Sequence, residues 1–142
     1  MASNLQGAPQ LRARLKAIKE TFRPIGRKWA TSTTRHARAG ASFTDRSGKG
    51  RRSIRVKSAS QRKATVVANY YVAILDKGAK AHTIVPKKKP TLVFQAGGRT
   101  VFSKKVNKPA ARGLGFAGRA AKDGLRDNPM AEELIRQWNS AA

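Results

Sequence analysis

Few residues in this chain are equipped for chemistry. His36 and His82 are the two histidines, the side chains that titrate nearest neutrality. A histidine acts as acid or base when a carboxylate or a nucleophile is held beside it, yet neither lies in an H-E-x-x-H or in an Asp/Glu/His cluster at metal-ligand spacing. Ser47-Gly48-Lys49-Gly50 has the composition of a phosphate cradle. A P-loop needs glycine five residues before Gly48, where Phe43 stands, and Ser or Thr after the lysine, where Gly50 stands. Serines are plentiful, but none occupies a G-x-S-x-G elbow. The absence of cysteine excludes thiolate nucleophiles, disulfides and cysteine-held zinc. Only Glu20, Asp45 and Asp76 supply carboxylates before residue 123, so the body lacks the usual groups for general acid–base work. The reading is a non-enzyme with no cofactor and no metal. A small enzyme or toxin acting on nucleic acid through His82 is a minor alternative.

What the chain has instead is positive charge. It carries 31 Lys+Arg against 7 Asp+Glu in 142 residues, a net +24. Self-repulsion at that charge favours a state beside anions. The cations cluster at Arg46–Arg55, Lys77–Lys80, Lys87–Lys89 and Lys104–Lys108. Arg46, Lys49, Arg51, Arg52, Lys87, Lys88 and Lys89 fall in expected loops and are read as contacts to nucleic acid or to protein partners. No helix-turn-helix, zinc-finger spacing or aromatic RNA-binding signature accompanies them, which points to sequence-independent phosphate contact. Asp123, Asp127, Glu132 and Glu133 gather in the last twenty residues, where they suit one subunit's tail to a neighbour's basic body. No apolar run approaches the roughly 18–20 residues of a membrane span, and MASNLQGAPQ lacks a signal-peptide core.

The elements that must position these residues form an α+β chain, read as a disordered lead over 1–9 and one domain over 10–142. Leu11, Leu15, Ile18, Phe22, Ile25 and Trp29 alternate spacings of four and three, one stripe of a basic helix kinked at Pro24. Residues 31–50 lose that period and read as loop. Period two follows: Ile54, Val56 and Ser58 face one way, and a second strand over Thr65–Asn69 completes a hairpin. Tyr70–Asp76 reads as a strand or a short helix, the helix favoured because Gly78 sits where its left-handed stop would be. A short strand is expected over Thr83–Val85. Thr91–Gln95 and Thr100–Val106 flank Ala96-Gly97-Gly98-Arg99 as a hairpin with Phe94 and Phe102 paired across it, and Pro109 ends the sheet. Phe116–Arg126 reads as a helix. A last helix starts with Asn128 as cap and Pro129 first inside, carrying Met130, Leu134 and Trp138. About four to five strands form a small antiparallel sheet between terminal helices. Trp29, Trp138, Tyr70 and Tyr71 are taken as core or subunit-interface anchors, with at least one tyrosine in the core and stacking of the tyrosines on bases as the alternative.

In their order, these pieces resemble the neck, or head–tail joining, proteins of long-tailed bacteriophages, often labelled minor tail components. The resemblance runs over about residues 10–126. It is carried by the loop Asp45-Arg46-Ser47-Gly48, the strand with Ser53, Ile54 and Val56, and the segment Tyr70-Tyr71-Val72-Ala73-Ile74-Leu75-Asp76-Lys77-Gly78. His82, Ile84 and Pro86 follow, then the Leu92–Phe94 and Val101–Phe102 strands. One departure is Asp76-Lys77, where the family usually has glutamate directly before the glycine. The resemblance implies a structural virion protein assembled in the host cytoplasm. Its copies would close into a ring, hexameric or dodecameric, at the head–tail junction. Its partners would be head-completion or connector proteins, the tail terminator or tail tube, and the double-stranded DNA in the channel. The alternative is a cellular sequence-independent nucleic-acid-binding protein of ribosomal or nucleoid type.

Overall fold

The computed structural model describes residues 7–41 and 43–140. Its element order is α1 (Ala8–Gly40), α2 (Lys49–Ser53), β1 (Arg55–Ala59), β2 (Ala64–Val67), α3 (Tyr70–Lys77), β3 (Gly78–Ala79), β4 (His82–Ile84), β5 (Leu92–Ala96), β6 (Arg99–Ser103), β7 (Val106–Lys108), β8 (Ala111–Arg112), α4 (Phe116–Asp127) and α5 (Met130–Ser140). The α+β class with terminal helices is as expected. The strands, however, pair as four separate antiparallel ladders, β1–β2, β3–β8, β4–β7 and β5–β6, rather than as one sheet.

α1 is the spine. Of the lead expected over 1–9, residues 1–6 lie outside the described residues, and Ala8 and Pro9 are already helical. The helix runs on through Pro24, which cannot donate to the preceding turn, and through 31–40, read above as loop. That reading fails because this stretch buries small and hydroxyl side chains where the usual stripe has large apolar ones. Ala30, Ser32, Thr33, Thr34 and Ala37 are all buried. Thr34 Oγ1 satisfies itself by donating to the Ala30 carbonyl at 2.8 Å.

α4 and α5 run back along α1 in succession. Phe116 and Ala120 pack beside Ala37 and Ala41, Asp127 reaches Ser32, and Trp138 reaches Arg14. The closest approach is Gly124 against Thr33, where a Cβ on the glycine would collide with the threonine hydroxyl and backbone. Thr33 Oγ1, buried at this contact, has no hydrogen-bond partner among the described residues. The β1–β2 hairpin covers another side of α1. Its register shifts between Val56 and Ser58, so Ala59 rather than Ser58 turns inward.

The core gathers at the far end of α1: Ala37, Ala41, Phe43, Ile54, Val72, Phe116 and Ala120, with Val66, Leu75 and Leu114 packed against it. The Phe43 and Phe116 rings lie 5.8 Å apart, tilted by 46°. α3 starts where Asn69 Oδ1 accepts from the Val72 amide at 2.9 Å. It stops at Gly78, whose φ of 89° is positive as expected. Its ψ of 177° is extended rather than helical, so the chain passes directly into β3. β3 pairs with β8, which lies beyond the sheet end assigned to Pro109.

Residues 82–108, between β3 and β8, form an arm built from the β4–β7 and β5–β6 ladders, with at most marginal contact to any helix or to β1–β2. Gly97 and Gly98 turn its tip with φ of 59° and 77°. The register pairs Val93 with Phe102 and Phe94 with Val101, which puts the two phenylalanines on opposite faces rather than across from each other. At the other hinge of the fold, Asn128 Nδ2 donates to the Gly124 carbonyl. Asn128 therefore closes α4 rather than capping α5, and Pro129 sits just ahead of the last helix.

Candidate nucleic-acid and subunit interfaces

The arginine-rich loop is mostly holding itself together. Asp45 Oδ2 accepts from the Arg51 amide at 2.7 Å, which starts α2. The Arg51 guanidinium then donates to the Arg38 carbonyl at 2.6 Å, the Ala41 carbonyl at 2.8 Å and the Phe43 carbonyl at 3.3 Å, and lies over the Phe43 ring. These are carbonyls at or beyond the C-terminus of α1, which have no intrahelical donors of their own. Arg52 donates to the Ser47 and Gly48 carbonyls. Arg51 is therefore a structural clamp rather than a loop contact, and Arg52 is largely committed to its own loop. Arg46 and Lys49 stand exposed, with no side-chain hydrogen bond among the described residues.

Lys87, Lys88 and Lys89 are exposed on the arm, and the register brings other cations to them. The first ladder closes at Ile84–Val106 and the second opens at Leu92–Ser103. Between them lie 85–91 on one strand and 104–105 on the other. Lys87, Lys88, Lys89, Lys104 and Lys105 thus all fall in the joint between the two ladders, and Arg99 stands at the tip. In sequence, Lys87–Lys89 and Lys104–Lys108 are separate clusters. Only the strand pairing unites them.

The aromatic anchors divide. Trp29 is half-buried, donating from Nε1 to the Ala121 carbonyl at 3.3 Å. Trp138 is half-buried with the Arg14 guanidinium 5.6 Å above its ring. Tyr70 and Tyr71 are 81% and 60% exposed, so neither enters the core. They occupy the first turn of α3, whose inward face is filled by Val72 and Leu75. Trp29 also borders an open, mainly apolar groove of about 450 Å³, shared with Ala64, Val66, Val72, Phe116 and Ala121.

Three of the four C-terminal acids pair within the chain. Asp123 pairs with Arg126, and Glu133 pairs with Arg136. Asp127 Oδ2 accepts from Ser32 Oγ at 2.7 Å and Arg35 Nη2 at 2.8 Å, and lies 2.6 Å from His36 Nε2. Serine, histidine and aspartate meet here, but the serine and the histidine both converge on one carboxylate oxygen. A nucleophilic relay instead needs the serine hydroxyl on the histidine and the aspartate on its other nitrogen. The cluster ties α1 to the end of α4. His82, with Nδ1 3.0 Å from the Lys80 carbonyl, stands exposed at the base of the arm. Asp76 accepts from the Ala117 amide at 2.8 Å and caps α4 from across the chain.

Hydrogen bonds from Ser32 and then His36 lower the Asp127 pKa from 3.8 to about 2. A carboxylate with a depressed folded-state pKa contributes stability that is complete above its unfolded value and is lost as pH falls through the folded one. Acid melts between pH 4 and pH 2 should therefore show a loss of stability that Asp127→Asn abolishes. An unchanged acid transition in that variant would remove the cluster's role.

Comparison with family models, with curated proteins and with solved structures gave no match to this chain.

Proposed function

We propose that this chain is a structural subunit of a tailed-bacteriophage neck, closing with copies of itself into a ring at the head–tail junction around the DNA channel. The observation that carries the reading is the imbalance between core and surface. Among the described residues, five large apolar side chains are buried (Ile25, Phe43, Ile54, Val72 and Phe116) while eleven are exposed. These exposed apolar side chains offer surface that neighbouring protein subunits can cover. It lies on α1 (Leu11, Leu15), α3 (Tyr70, Tyr71), the arm (Val93, Phe102) and α5 (Ile135), so cover must come from several directions, as a subunit between neighbours receives it. The net charge of +24 adds a second demand for partners, met by DNA and by acidic surfaces of adjoining connector and tail proteins. The order of loop, hairpin, tyrosine-led helix and glycine supports the same reading by resemblance.

Electron microscopy of purified particles should place the chain as a ring between portal and tail. Its absence from particles would overturn the proposal. The cationic arm favours a second reading, a cellular protein bound to nucleic acid without sequence preference. Such a protein would sediment with host nucleic acid and be missing from virions.

A further inference from the structure

We infer that residues 82–108 are a phosphate-gripping arm, with Lys87, Lys88, Lys89, Lys104 and Lys105 at its joint holding the backbone of duplex DNA. The inference takes from the reading above only the partner, DNA, and it names the element that meets it. The arm contains seven Lys and Arg and no Asp or Glu. Its lysines and Arg99 are all exposed, and none makes a salt bridge among the described residues. Five like charges share this joint, and the arm holds no carboxylate to offset their repulsion. Pro86 and Pro90 bracket the lysine triplet. Proline fixes its own φ and offers no ladder donor, so the triplet is held out of both ladders rather than absorbed as strand.

Charge and shape together select the partner. A second copy is a poor occupant for this joint, because the rest of the chain keeps seventeen of its twenty-four net positive charges. A bilayer is a poor one as well. The exposed Val93–Phe102 face ends toward the tip in the hydrogen-bonded Gln95 and Thr100 side chains, and the tip carries Arg99. That face is not continuously apolar along its length. A two-stranded ribbon is one of the elements the major groove of duplex DNA admits. Cations on both of its strands then reach phosphates, whose released counterions drive binding without reading sequence.

The test uses the full chain free in solution and a random-sequence DNA duplex, titrated with salt. Five phosphate contacts contribute a slope of about −4.5 in log affinity against log salt, or roughly 500-fold between 50 and 200 mM. A variant with Lys87, Lys88, Lys89, Lys104 and Lys105 all changed to Gln should have a slope shallower by about 4. A control with Lys16, Lys19, Lys28, Lys57 and Lys122 changed to Gln removes the same charge from exposed sites elsewhere and should keep most of the slope. Equal losses in the two variants would show diffuse attraction and overturn the arm. So would an unchanged duplex affinity in the first variant, including the case in which that variant loses binding only to phosphatidylserine vesicles. The outcome is separable from that of the ring. A chain that binds DNA through the arm yet is missing from virions sinks the neck reading alone, whereas a neck ring whose free subunit binds DNA without these lysines sinks the arm alone.

Discussion

Gly78→Ala is expected to destabilise the protein by about 3–5 kcal/mol, enough to unfold a substantial part of a small domain of ordinary stability. Two effects add. The residue holds φ of 89° with ψ of 177°, a region that side chains with a Cβ scarcely enter. A Cβ there would also stand 2.5 Å from the Ala111 carbonyl oxygen and 2.6 Å from the Gly113 amide, both backbone atoms fixed by the β3–β8 pairing. Neither can withdraw without separating the end of α3 from the approach to α4. Gly97→Ala provides the comparison. Gly97 has φ of 59° in open space at the arm tip, so only the backbone term operates and the cost should be about 1 kcal/mol. Urea denaturation of the two variants measures the difference, and equal costs would mean the collision is relieved at little expense.

Arg51→Ala is expected to cost about 2–4 kcal/mol, because the carbonyls of Arg38, Ala41 and Phe43 lose their shared donor at the end of α1. Arg51→Lys should recover less than half. An ammonium keeps the charge but cannot span three carbonyls as a planar fork does. The measurement is again equilibrium unfolding, and a lysine variant as stable as the parent would show that charge, not geometry, is what the site uses. A general argument from charge clustering expects the reverse, a residue that matters to partners and little to folding. The hydrogen bonds decide against it.

That reversal shows where the sequence was legible. Elements with strong local signals were readable: the α1 stripe through Trp29, the tyrosine-led helix with its glycine stop, the two-glycine turn at the arm tip and the terminal helices. What could not be read were the features set by distant neighbours. The second half of α1 packs through Thr33 against Gly124, a contact made of small side chains that leaves no apolar period behind. The destination of a guanidinium depends on which carbonyls the fold leaves open, and neither Arg51 nor Asp127 announces its partners by spacing. The five-lysine joint is a product of register, since residues 87–89 and 104–105 fall in the same break between ladders only when Leu92 pairs with Ser103. Aromatic type points Tyr70 and Tyr71 to the core, whereas their place at the first turn of α3 leaves both outward.

The β3–β8 pair, short as it is, sets Gly78 beside Arg112 and Ala79 beside Ala111, so the chain departs from the body and re-enters it at one spot. Everything between is topologically a detachable insert. Its length, charge and apolar faces are free to drift in evolution while the helical frame stays as it is, and related proteins can be expected to differ most in this excursion and least in the strand pair that anchors it.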